Sequence, residues 1–358
     1  MQGGIEKHCQ ELFPRLVARG LQVTLLARKG YVPDRPFVYR GVSVVPLIAP
    51  HRKNFETFVH TLVGFLWLVR HGSRFDIVHV HGIGPAFFAP FFRLLGLKVV
   101  ITSHGPDYLR RKWSLLARLG LVLGERLGTR YSHAVIAVSS PIRNQVKSQY
   151  GLEPFLIPNG ATLPMPGDHF NLLAGLGLQS GRYILAVGRF VPEKGFHDLL
   201  NAFVKLDTDL QLVIAGSSLY EDGYASYLKK RAANMERVVL PGFLTSDKLD
   251  VLYAHAALFV LTSYHEGMSL ALLEALAHSL PVLVSDIPAN RDVEIPEERY
   301  FRSGDQADLL CKLEKLLKKR ISERECEANR KMMAQKYNWD RIAEQTMEVY
   351  GKVLRDED

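Results

Sequence analysis

Cysteine is scarce. Cys9, Cys311 and Cys326 are the only three in 358 residues. They have neither the spacing of a metal-ligand set nor that of a disulfide framework, so a reducing, cytoplasmic compartment is expected. Long apolar runs are also lacking. The uncharged run from Thr57 to Val69 holds 13 residues between Glu56 and Arg70, well short of the roughly 20 needed to span a bilayer. The opening MQGGIEKH has no apolar h-region, which argues against a signal peptide. Zinc-finger spacing and an aromatic–basic RNA signature are missing, and no Lys/Arg run is longer than Arg110-Arg111-Lys112. Nucleic acid is therefore not an expected partner. What is present is ordinary for a globular chain. Hydrophobic residues make up 47% and charged residues 23%, enough apolar surface to offset the entropy of ordering.

The charge is unevenly spread. Residues 1–160 carry 21 Lys+Arg and 8 Asp+Glu, a balance of +13, and the rest of the chain brings the total down to +8. A basic half suits an anionic membrane or an anionic small molecule. The length predicts two domains. In the first half, helical and strand patterns alternate: a helix over Glu6–Arg19, β-rich runs at Leu21–Ala27 and Gly41–Leu47, a helix over Thr57–Val69, then strands at Asp76–Val80, Lys98–Thr102 and Ala134–Val138. The second half repeats the pattern at Tyr183–Val187, Leu212–Ala215, Val238–Leu240, Leu258–Leu261 and Val282–Val284, and closes on a helical stretch from Trp339. Such alternation predicts parallel βαβ units. Pro and Gly cluster at Ile157–Gly160 and Leu163–Gly167, the best linker. The expected organisation is two Rossmann-like α/β domains, 1–165 and 166–337, facing across a cleft, with a helix over 338–358 packing back toward the first.

Two segments carry chemistry. Arg189 and Lys194 follow the strand YILAV in Gly188–Gly195. Parallel strands point their carboxyl ends at the ligand crevice, where Arg can fork onto two oxygens of a diphosphate and Lys acts as a point charge. A solvated basic loop is the competing reading, and spacing alone does not separate the two. Glu266 and Glu274 lie in SYHEGMSLALLE. A helix starting at Gly267 would place Glu266 before it and Glu274 about 12 Å along. The amides of Gly267, Met268, Ser269 and Leu270 would form an anion site between them. Glu274 sits in an apolar stretch and needs a partner. His79 and His81 are read as pointing apart, His79 into the core and His81 to the rim of the cleft. Asp207-Thr208-Asp209 reads as a solvated loop, not a metal site.

The Gly3-Gly4-Ile5-Glu6 opening, the Gly-Arg-x4-Lys element at 188–194 and the Glu-x7-Glu element at 266–274 resemble the retaining glycosyltransferases of family 4, which have the GT-B fold. The resemblance covers essentially the whole chain. The first half is also similar to bacterial rhamnosyl- and glucosyltransferases of surface-polysaccharide assembly, through His81–Ala86, Ser103–Asp107 and Arg111–Trp113. The resemblance implies a nucleoside-diphosphate-sugar donor, a glycan or lipid-linked sugar acceptor, and no metal cofactor. Arg189 and Lys194 would bind the diphosphate, Glu274 the ribose, Glu266 the transferred sugar, and the amides of 267–270 the phosphate. The backbone near Phe243 would meet the base, Gly3 and Gly4 would close over the phosphates, and His104 would lie beside the reacting sugar. Family members usually place a strand before the Gly-Gly loop, and that strand is missing here. The resemblance leaves a GT-B nucleotide-sugar epimerase and a non-catalytic sugar-nucleotide-binding protein as alternatives. Basic and apolar residues mix in 51–59 and 108–116. Peripheral contact with an anionic membrane, the inner face of the plasma membrane, is expected there.

Overall fold

A computed structural model describes residues 3–50, 56–109, 114–164, 170–218, 223–319 and 321–355. The chain divides into two compact units, one of Ile5–Asn159 with Trp339–Asp358, the other of Gly160–Asn338, with which Gly3 and Gly4 group. The change of unit falls inside the predicted linker, six residues before the expected boundary. Part of that linker, and Arg110–Trp113 and His51–Phe55 of the basic–apolar stretches, lie outside the described residues.

Among the described residues the first unit has seven strands: β1 (Thr24–Arg28), β2 (Phe37–Tyr39), β3 (Val42–Leu47), β4 (Ile77–His81), β5 (Lys98–Ser103), β6 (Ala134–Ala137) and β7 (Phe155–Leu156). They form two sheets, β1-β3-β2 and β4-β5-β6-β7, and the second is parallel throughout. β5 and β6 are buried from Val99 to Ser103 and from Ala134 to Ala137, as a parallel sheet covered on both faces requires. The short strand β2 was not legible as a strand. It turns back onto β3 through Arg40 and Gly41, both at positive φ (47° and 84°), and a Cβ on Gly41 would stand 2.7 Å from Val17 Cγ1. The helices between these strands are α1 (Gly4–Ala18), α2 (Glu56–His71), α3 (Ala89–Leu94), α4 (Leu115–Tyr131) and α5 (Ser140–Tyr150). A 3-10 turn at Pro85–Phe88 sits among α2, α3 and α4. Its Phe88 joins Val80, Phe92, Val99 and Ile101 in the core.

The second unit has one six-stranded sheet of β8 (Tyr183–Val187), β9 (Gln211–Ala215), β10 (Val238–Val239), β11 (Leu258–Leu261), β12 (Val282–Ser285) and β13 (Tyr300–Phe301). All its pairings are parallel, in the order β10-β9-β8-β11-β12-β13. The chain runs outward from β8 to β10, then restarts at β11 and runs the other way. The switch point therefore lies between β8 and β11, where ligands of open α/β sheets bind outside the carboxyl ends of the strands. Its helices are α6 (Phe170–Gly175), α7 (Phe196–Lys205), α8 (Gly223–Ala233), α9 (Ser246–His255), α10 (Leu270–Ala277), α11 (Pro288–Arg291), α12 (Gln306–Leu317) and α13 (Glu323–Lys336). Phe196, Leu199, Leu200 and Phe203 on α7 pack with Leu309 and Leu313 on α12 in its core. The last helix, α14 (Trp339–Arg355), belongs to the first unit.

Candidate active site

The loops leaving β8 and β11 meet at the switch point of the second unit. The loop after β8 runs Gly188–Gly195 and ends in a 3-10 turn, Pro192–Lys194. Glycine is required at two places here. Gly195 has φ +65°, and a Cβ there would stand 2.2 Å from the Thr262 carbonyl oxygen. Gly216, after β9, has φ +148°, and its Cβ would stand 1.8 Å from the Gly188 oxygen. The second loop holds the first by hydrogen bonds: Thr262 Oγ1 donates to the Lys194 carbonyl (2.8 Å) and the Tyr264 amide to that of Glu193 (2.9 Å).

The side chains follow from this backbone. Lys194 Nζ donates to Glu266 Oε1 at 2.5 Å, and Ser263 Oγ donates to the same oxygen at 2.6 Å. Both members of the ion pair are largely buried, with side-chain exposures of 17% and 12%, so their attraction is screened little. Arg189 is half-buried on the same loop. Glu274 accepts from the Tyr253 hydroxyl at 3.0 Å, the partner its apolar surroundings required. Burial, and then the Glu274 charge, raise the Tyr253 phenol well above its ordinary range.

One expectation about this loop needs correction. The helix carrying Glu274 starts at Leu270, not Gly267, because Ser269 is the N-cap, its Oγ accepting from the Leu272 amide at 3.4 Å. A serine at the cap competes successfully with helix extension upstream. Gly267, Met268 and Ser269 thus form the approach to the helix, and Glu274 is the fifth residue of α10. Phe243 is exposed on the loop after β10, behind Gly242 at φ +77°. Gly4 opens α1, with Gly3 in the bend before it.

The first unit gathers four histidines. His79 and His81 do not point apart: two residues along a strand share a face, and their rings lie 4.2 Å apart. His81 Nδ1 and His104 Nε2 are 3.2 Å apart, and the His8 ring stands 5.3 Å from His81 and 5.0 Å from His104. His79 is fixed by the Tyr350 hydroxyl (2.6 Å) and Thr102 Oγ1 (2.7 Å), and His8 Nδ1 by Asn159 Oδ1 (2.9 Å). The buried Nε2 atoms of His8 and His81 have no hydrogen-bond partner among the described residues. Burial lowers all four: His8 to about 4, opposed by its bond to Asn159, and His79 to about 3, with the His8 charge adding to the effect. His81 and His104 are lowered well below the ordinary value, by burial first and then by the neighbouring imidazoles. The cluster is neutral near pH 7. His8, His81 and His104 each bring a nitrogen within 4.8 Å of the others, so this is where the described residues could hold a metal ion. Asp209, by contrast, is 94% exposed and only 3.8 Å from Arg182, a solvated loop residue.

Comparison with known proteins bears on this arrangement. Residues 2–163 match the model of "Glycosyltransferase Family 4" and residues 175–333 that of "Glycosyl transferases group 1". The chain belongs to the family 4 glycosyltransferases. It is 27% identical to the phosphatidyl-myo-inositol mannosyltransferase of Mycobacterium leprae over 98% of this chain and 93% of that protein. Its fold is GT-B, like that of sucrose-phosphate synthase from Thermosynechococcus elongatus (TM-score 0.83, 22% identity, 98% and 94% of the two chains). HepE of Anabaena, solved with UDP and glucose, has the same fold (TM-score 0.80, 17% identity, 98% and 96%).

In this glycosyltransferase several positioning residues were not legible from motif spacing. Asp198 is buried on α7, takes the Tyr264 hydroxyl and the Gln306 amide (2.7 Å), and so ties the Glu266 loop to α7 and α12. His197 Nδ1 meets the Tyr224 hydroxyl at 2.9 Å and its Nε2 the Tyr264 hydroxyl at 3.1 Å. Ser263, Tyr253 and His8 were missed as well. Their signal was placement: Ser263 is the second residue past the end of β11, and His8 stands one turn into the helix opened by Gly4.

Proposed function

We propose that the enzyme transfers a sugar from a nucleoside-diphosphate sugar to an acceptor hydroxyl with retention at the anomeric carbon, in polysaccharide or glycolipid assembly. The observation that carries this reading is the Lys194–Glu266 pair at the β8/β11 switch point, on the loop that also bears Arg189. A diphosphate carries more negative charge than one carboxylate and competes with Glu266 for the ammonium. Glu266, released from Lys194, can accept from hydroxyls of the transferred sugar. In the reaction the bond from C1 to the diphosphate oxygen breaks, and the acceptor oxygen bonds to C1 on the same face. The acceptor proton passes to a phosphate oxygen of the leaving nucleotide. Arg189 and Lys194 meet the charge that grows on the diphosphate, so no metal is required. Glu274 holds the ribose, the amides leading into α10 bind phosphate, and the backbone near Phe243 meets the base. Gly3 and Gly4 close over the phosphates, and His104 contacts the acceptor.

HepE, a neighbour in fold, was solved with UDP and glucose, and the Mycobacterium leprae relative is named for a phosphatidyl-inositol acceptor. The first supports a nucleotide-sugar donor and the second a lipid acceptor. The test is a melting-temperature screen against UDP-, GDP- and ADP-sugars, since a ligand that binds only the folded state raises the transition. NMR of the product of the best donor then reads the anomer. A shift with one donor family and an unchanged anomer are expected. No shift with any of them, or an inverted product, would refute the reading.

A further inference from the structure

Surface helices ordinarily turn their apolar stripe inward and their polar face to water. Three helices of the first unit do the reverse. On α4, Leu115, Leu116, Leu119, Val122 and Leu123 are all exposed, the first two at 78% and 82%. Their spacing is that of one helix face. On α2, Phe58, Leu62, Leu66 and Val69 form a second exposed stripe at the same spacing, and on α3 Leu94 is 82% exposed beside Phe91. These helices are neighbours. α3 packs on α4, and both α2 and α4 pack on the 3-10 turn Pro85–Phe88. The Phe65 ring of α2 meets that of Phe91 at 5.8 Å. Eleven of the 22 exposed large hydrophobic side chains among the described residues lie on this face. Apolar exposure concentrated in this way marks a contact surface rather than the scattered apolar residues of any monomer.

Charge selects the occupant. Arg70, Arg93, Arg126 and Arg130 are exposed on the same three helices. Residues 89–131 hold eight Lys+Arg against Asp107 and Glu125 alone, and Glu125 is buried under the Tyr150 hydroxyl. A second copy seated here by two-fold symmetry would press the arginines against their equivalents. Leucine and phenylalanine rimmed by arginine instead match the acyl and headgroup layers of an anionic bilayer. No helix among the described residues is long and apolar enough to cross one. We propose that the α2–α3–α4 face is a peripheral docking surface for anionic lipid membranes, with α4 inserted at the level of its first two turns. The proposal does not depend on the reaction proposed above.

The test is co-sedimentation of the full chain with phosphatidylcholine vesicles and with equimolar phosphatidylcholine–phosphatidylglycerol vesicles. The wild type should pellet with the anionic vesicles, far less with the neutral ones, and be partly released by salt. The triple variant Leu115→Ser, Leu116→Ser, Leu119→Ser should lose roughly tenfold or more in partitioning, since apolar insertion is removed. Arg126→Gln with Arg130→Gln should lose the preference for anionic lipid. Melting temperature and its response to UDP report folding and donor binding separately. Should the triple variant not fold, Leu94→Ser carries the same test. An unaltered UDP response with lost vesicle binding supports docking; lost UDP response with intact vesicle binding removes the donor reading and leaves docking standing. Wild type that stays in the supernatant, a triple variant that pellets as well as wild type, or a solution dimer that the triple variant converts to monomer would each overturn the proposal.

Discussion

Lys194 does two things that pull against each other, and its replacement separates them. In the folded chain its ammonium is matched by Glu266 at 2.5 Å, so Lys194→Ala leaves a largely buried carboxylate without that counter-charge, though Ser263 still donates to it. Some stability is lost. In the proposed reaction the loss is larger, because the charge that Lys194 would meet grows only as the diphosphate departs. A fall in kcat of about 100-fold, on the order of 3 kcal/mol, is expected from steady-state transfer assays. Near-wild-type kcat would remove Lys194 from the chemistry. Gly216 is a purely structural residue of the same site. An alanine Cβ would stand 1.8 Å from the Gly188 oxygen at a φ of +148° that L residues rarely adopt. Gly216→Ala should cost at least about 3 kcal/mol in urea unfolding and loosen the Arg189 loop. A cost under 1 kcal/mol would mean that this backbone contact yields easily.

At the scale of elements, the parallel strands were readable because they are short runs rich in apolar residues, as at Tyr183–Val187 and Leu258–Leu261, whose bounds the structure reproduces. The missed strands β2, β7 and β13 are two or three residues long. They exist because a neighbouring edge pairs with them, a cause absent from local sequence. The Arg189, Lys194, Glu266 and Glu274 motifs were legible as spacing, but the Tyr253, Asp198 and Tyr264 contacts come from distant elements and left no local trace. The start of α10 shows the limit well. Gly267 looked like the boundary, while Ser269, two residues on, makes the capping bond. Ser269→Ala should therefore destabilise by about 1 kcal/mol, and hydrogen exchange should rise in the first turn of α10 above all. Uniform exchange across the second unit would show that Ser269 acts elsewhere.

At the scale of the whole molecule, the two units differ in how they store ionisable groups. The second unit pairs its buried charges, as at Lys194–Glu266 and Arg299–Glu325. The first gathers four histidines as neutral rings, His8 buried and His79, His81 and His104 half-buried. A histidine whose folded value lies below 6.5 binds fewer protons when folded than when unfolded. Stability from its neutral form is therefore complete above about pH 6.5 and is lost as pH falls toward the folded value, about 4 for His8 and about 3 for His79. At pH 5 His8 alone accounts for about 2 kcal/mol of that loss, and His79, His81 and His104 shift in the same direction. Acid should thus act on one unit first. Protection factors in β4, β5, α1 and α14 should fall between pH 7 and pH 5, after correction for the intrinsic pH dependence of exchange, while those in β8, β9 and β11 hold. His8→Asn should flatten the response of the first unit and leave the second unchanged. Equal loss of protection in both units would place the acid-sensitive groups elsewhere.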